Sequence, residues 1–121
     1  MNRWVLLEHR VLLGNLVDIH YDFLVEDESA CLTWKFFKIP LINKDSVQIV
    51  RQPNHRLIWL TREEYTLSRN RGFVKKIDHG KFIQISSKSV KSQDLELILD
   101  GDLLNGYLEI SGNVCRLKRN I

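Results

Sequence analysis

The chain has 121 residues, 44% of them apolar and 9% aromatic. That is enough for one modest core, so a single domain spanning residues 1–121 is expected and a disordered composition is excluded. A net charge of +3 with a pI near 9.0 tolerates a polyanionic partner but falls short of a nucleic-acid footprint. No apolar run is long enough to span a bilayer, and Met1 to His9 is too short and too charged for a secretory leader. A cytoplasmic protein with no membrane partner is therefore expected.

In chain order, Trp4-Val5-Leu6-Leu7 is a short apolar run. Val11 to Leu13 and Leu16-Val17 predict at most one helical turn, interrupted by Gly14-Asn15. Asp18 to Val25 alternates with a period near two, Asp27-Glu28-Ser29 is a turn signal, and Ala30 to Phe36 completes a hairpin. Val47 to Val50 and Leu57 to Leu60 are predicted as strands flanking a bend at Pro53-Asn54-His55. Phe73 to Ile77 and Lys81 to Ile85 are predicted on either side of a turn at Asp78-His79-Gly80. Leu95 to Leu99 and Gly106 to Ile110 follow, with turn chemistry at Asp100-Gly101. The pattern favours an all-β domain of about eight short strands with little helix, a small barrel or sandwich closed on itself.

Cys31 and Cys115 sit among apolar neighbours without a CxxC partner and are expected as buried thiols. Basic residues gather at Arg62, Arg69, Arg71, Lys75 and Lys76, and again at Arg116, Lys118 and Arg119. The second group reads as a solvated face. Trp4, Trp34 and Trp59 are expected as core aromatics, and Glu63-Glu64 as surface acids.

His20-Tyr21-Asp22 carries the chemistry. On a strand, residues two apart share a face, so an imidazole and a carboxylate stand side by side. With His9 upstream, two imidazoles and a carboxylate can hold a divalent ion, and His55 can add a third imidazole facing a phosphate. A histidine beside a carboxylate is also a common hydrogen-bonded pair with no ligand. The metal reading requires all three groups to meet at one point inside a closed sheet.

These residues carry a resemblance. Arg3 to His9 resembles the opening strand of the 3′-phosphoesterase domain family of bacterial end-joining DNA ligases of the ligase D type. His20-Tyr21-Asp22-Phe23, Glu26, Thr33-Trp34 and Lys38-Ile39-Pro40 follow the family's HYDFRLE…SWxxPKGP signature without a gap. Asn54-His55, Asp78-His79-Gly80 and the segment Leu95 to Gly106 resemble later family motifs in the same order. The resemblance implies a small closed β-barrel whose concave face holds Mn²⁺ or another divalent ion. It implies removal of 3′-terminal ribonucleosides or phosphate from nucleic-acid ends. By position, His9, His20 and Asp22 correspond to metal ligands, and His55 to the imidazole that contacts the phosphate or protonates the leaving group.

The departures concern the phosphate. The family's arginine two residues after the aspartate is Leu24, and a tyrosine four residues after the later histidine is Trp59. An arginine expected before the Val47 strand is missing, with Lys44 or Arg51 as imperfect stand-ins. Val11 to Asn15 is an insertion between His9 and His20, and a Gly-rich loop is reduced to Gly72 with Arg69 and Arg71 before it. Arg69, Arg71 and Trp59 are then the candidates for substrate contact, and Arg62 is a further cation within reach. Two functions are compatible with this: a divergent phosphoesterase, or a catalytically degenerate barrel binding nucleic acid or protein.

Overall fold

The computed structural model describes residues 2–67, 72–85 and 94–119. It contains nine strands: β1 Arg3–Leu13, β2 Leu16–Glu26, β3 Cys31–Phe36, β4 Val47–His55, β5 Glu64–Thr66, β6 Phe73–Gln84, β7 Leu95–Asp100, β8 Asn105–Ser111 and β9 Val114–Lys118. A 3-10 helix at Leu57–Leu60 lies between β4 and β5. Neighbouring strands run antiparallel in the order β1-β2-β3-β4-β9-β8-β7-β6-β5, and β6 also pairs with β1. The sheet therefore closes into a ring, with β5 as a short flap on β6. No helix among the described residues is long and apolar enough to cross a membrane.

Period-two alternation sorts the side chains into two clusters. Trp4 and Leu6, Phe23 and Val25, Trp34 and Phe36, with Leu97, Leu108 and Leu117 from the far strands, fill the interior of the ring. The intervening residues of β1 to β3 point the other way: Val5, Leu7, Leu24 and Cys31 form a second cluster with Leu60 and Val74. Leu60 comes from the 3-10 helix, which caps this outer face. Burying each such aliphatic side chain contributes about 1.5–3 kcal/mol. Cys31 and Cys115 are both free and buried, and burial pushes their thiols up to about 11 and about 12.

The all-β ring agrees with the sequence expectation, and four details correct it. Val11 to Leu13 and Leu16-Val17 form no helical turn; they extend β1 and β2 into a long hairpin. Its two-residue loop has Gly14 at φ +64, the glycine-first geometry that matches the twist of paired strands. Leu57 to Leu60 is 3-10 rather than strand, because its apolar residues cover the second cluster instead of alternating. Asp78-His79-Gly80 is no turn but the middle of β6. There the register slips between Leu6 and Leu7, leaving Ile77 as the extra residue of a β-bulge. The described residues hold nine strands, in keeping with the expected number of about eight, but several are long rather than short, and β5 and β9 were unanticipated.

The bulge aims the Asp78 carboxylate at the β7–β8 connection, where it accepts three backbone N–H groups, from Asp102 and Leu103 at 2.9 Å and Leu104 at 2.8 Å, in addition to that of its neighbour His79 at 3.0 Å. Gly101 sits so close that a Cβ there would meet the Trp4 ring at 2.5 Å. This cage locks the far end of the ring against β1 and so fixes the strand that carries His9.

A candidate metal centre on the outer face of the sheet

β1 and β2 pair in a register that sets His9 opposite His20 and Leu7 opposite Asp22. Cross-strand partners share a face, and so do residues two apart, so His9, His20 and Asp22 all project from one face. The ring centroids of His9 and His20 are 4.6 Å apart in an edge-on arrangement. Asp22 Oδ2 lies 3.9 Å from His9 Nδ1, and Asp22 Oδ1 lies 3.4 Å from His20 Nε2. One ligand atom from each of the three falls within 4.8 Å of the others. The expected convergence is present, but its place is corrected. The triad lies on the outer face, continuous with the second cluster, because the ring's interior is packed solid with apolar side chains.

The donor set suits a divalent ion. Two imidazole nitrogens and one carboxylate oxygen supply three ligands and leave further positions for water or substrate. Ligands at about 2.0–2.2 Å from one ion lie up to ~4.4 Å apart, so small rotamer adjustments complete the site. His20 presents Nε2 to Asp22, and its other nitrogen, Nδ1, is shut away from water with no hydrogen-bond partner among the described residues, a group that an ordered water would satisfy.

A pocket of about 230 Å³ opens beside the triad. His9, Asp22 and His55 supply its polar lining, and Trp59, Leu7, Leu67 and Val74 its apolar walls. His55 reaches it because β4 slips by one residue opposite β3, so that His55 rather than Asn54 faces Cys31. Pro53, which has no N–H to give to a ladder, lies at this irregularity. His55 Nδ1 is 3.1 Å from the Pro53 carbonyl.

The residues expected to contact phosphate are arranged differently. Leu24 is fully buried in the second cluster, at the position where a clamp arginine was sought. Arg51 is no stand-in: its guanidinium lies 4.7 Å from the Trp34 ring and donates to the Thr33 carbonyl at 3.1 Å. Its pKa is lowered by burial. Lys44 belongs to the β3–β4 connection and lines a separate pocket with Lys38, Asp45 and Val47. Arg62 stands over Trp59 at 5.1 Å and Tyr65 at 4.2 Å, held by two aromatic faces. Trp59 is half-buried in the pocket wall rather than in the core. Arg69 and Arg71 lie outside the described residues. Glu63 and Glu64 are exposed, and Glu63 pairs with Lys76 at 2.8 Å.

Lys35 was missed by the sequence reading. It is the direct cross-strand partner of Asp22 on the site's face, with its ammonium 5.0 Å from the Phe37 ring. The signal was available as the alternation Cys31, Thr33, Lys35, but only the register identifies its neighbour. Among the described residues no arginine or lysine lines the pocket itself. No model of a known protein family matches the chain, and no curated protein matches it either.

Proposed function

We propose that the protein is a divalent-metal-dependent phosphoesterase acting on 3′ ends of nucleic acid. One observation carries the reading: His9, Asp22 and His55, from three separate strands, line one pocket, with His20 beside them. The resemblance of the His20-Tyr21-Asp22-Phe23 segment to the ligase D phosphoesterases supports the choice of substrate. Mn²⁺ is the candidate ion, and when bound it polarises a phosphoryl oxygen.

His55 holds the proton. A carbonyl can only accept, so the contact with Pro53 keeps the proton on Nδ1 and leaves Nε2 to exchange one with the reacting group. As water adds to phosphorus and the P–O bond opens, His55, when it also carries a proton on Nε2, gives that proton to the departing oxygen, and the proton released by the water returns to Nε2. Leu7, Trp59, Leu67 and Val74 give the pocket apolar walls, which lower the local dielectric and strengthen each polar contact beside them. Lys35, the cross-strand partner of Asp22, brings a positive charge to the face on which the substrate's phosphate would lie. The test is release of inorganic phosphate or a terminal ribonucleoside from a 3′-phosphate or 3′-ribonucleotide oligonucleotide with Mn²⁺. Turnover lost in His20→Ala and His55→Ala supports the reading, and no turnover by the wild type removes it.

A second reading draws on the buried Leu24 and the lack of a cation in the described pocket lining. A barrel without a phosphate clamp can bind nucleic acid or a protein without turning it over. It expects no product in the same assay, together with binding to oligonucleotides that weakens steeply with salt.

A further inference from the structure

The β1–β2 hairpin outruns the ring. Among the described residues, pairing of β1 with β6 ends at Arg10, and pairing of β2 with β3 begins at Tyr21. Beyond those points no described residue outside the hairpin pairs with either strand, so among the described residues the hairpin projects as an arm. Its side chains are apolar on both faces: Leu12 is 60% exposed, Leu13 58%, Leu16 71% and Val17 55%. Monomeric proteins seldom present an apolar surface of this extent, and open strand edges are ordinarily covered or charged.

We infer that the arm is the contact through which two copies of this chain dimerise, each arm tip seated in a pocket at the base of the other arm. Both halves of the contact are present in one chain. The pocket, about 320 Å³, is lined by Arg10, Leu12, Val17, Leu67, Gly72 and Phe73. Its walls are mostly apolar and its volume accommodates the leucine side chains of a tip. The lengths agree as well. A strand rises about 3.4 Å per residue, so the tip at Leu13 stands roughly 10 Å from the base at Arg10. Two arms lying side by side and antiparallel around a two-fold axis therefore set each tip over the other's base. Such an isologous contact closes on itself and leaves no edge for further growth.

Charge selects the same occupant. The arm carries one cation, Arg10, and one anion, Asp18, so two arms meet without net repulsion. It has no basic cluster to attract nucleic acid or an anionic lipid surface. The β2 edge before Tyr21, which no described strand other than β1 pairs with, can add backbone hydrogen bonds to the apolar contact.

Sedimentation velocity of the full chain over a wide concentration range tests this. The wild type sediments as a dimer, and Leu13→Lys combined with Leu16→Glu sediments as a monomer. Melting of the wild type shifts upward with protein concentration, while melting of the variant does not. If the double substitution impairs folding, the milder Leu16→Gln reads the same loss of dimer. A wild type that is monomeric throughout, whether or not it binds vesicles or another protein, overturns the inference. So does a dimer that persists in folded tip variants.

Discussion

His9 and His20 are direct partners across the β1–β2 pairing, their rings 4.6 Å apart, although the whole projecting hairpin lies between them in sequence. Four residues on each strand separate the pair from the Gly14-Asn15 loop, which keeps the two histidines in register. Mn²⁺ is therefore expected to stabilise the fold by binding the native state alone, by about 2.7 kcal/mol at a hundred times its dissociation constant. Thermal denaturation with and without the ion reads this. His9→Ala and His20→Ala are each expected to remove the metal-dependent shift, and acidification is expected to weaken it because imidazoles must be unprotonated to ligate.

Restoring an arginine at Leu24 is expected to harm rather than rescue. Leu24 is fully buried among Val5, Leu7, Cys31 and Leu60, with Asp22 and Glu26 on either side of it along the same strand face. A guanidinium there is desolvated and displaces packed methyl groups, so Leu24→Arg is expected to lower stability by about 3 kcal/mol. Urea denaturation measures the loss. Leu24→Met, which preserves volume, is expected to stay within ~1.5 kcal/mol of the wild type.

Asp78 holds the ring closed from the far side. Its carboxylate accepts from the backbone of His79, Asp102, Leu103 and Leu104. Asp78→Ala leaves several of those donors buried without partners, and a loss of roughly 2–4 kcal/mol is expected in urea denaturation. Hydrogen exchange at Leu103 and Leu104 is expected to accelerate more than exchange in β2.

The β1 entry is pinned by a fork. Arg3 donates to Glu26 Oε1 from Nε at 3.0 Å and to Oε2 from Nη2 at 2.8 Å. Arg3 beside it holds the Glu26 carboxyl down at about 2, against an ordinary value of 4.5. A depressed acid stabilises the fold fully above the ordinary value, and that stabilisation drains away as pH falls from about 4.5 toward 2. Because Arg3 is partly exposed, about 1–2 kcal/mol is at stake. The stability difference between wild type and Glu26→Gln, measured in urea, is expected to be present at neutral pH and to shrink steadily below pH 4.5.

Local pattern carried the ring's strands where one face is buried. Asp18 to Val25 and Leu95 to Leu99 alternate, and they pair as expected. Pattern failed where a long-range contact decides the conformation. Asp78-His79-Gly80 has turn chemistry, but its carboxylate binds a turn more than twenty residues away and its backbone continues β6. Leu57 to Leu60 is apolar enough for a strand, yet the second cluster needs a cap and receives a 3-10 helix. The triad was legible because its spacing on β2 is local and its partner on β1 follows in the same hairpin. Lys35 was not, since nothing in the sequence of β3 reveals that it stands opposite Asp22.

The most direct test of the metal centre is a crystal grown with Mn²⁺ and measured for anomalous scattering. The account expects one strong peak within about 2.0–2.3 Å of donor atoms from His9, His20 and Asp22 together, beside the pocket walled by Trp59. A map with no peak there at saturating Mn²⁺, or with the ion held elsewhere on the chain, contradicts it.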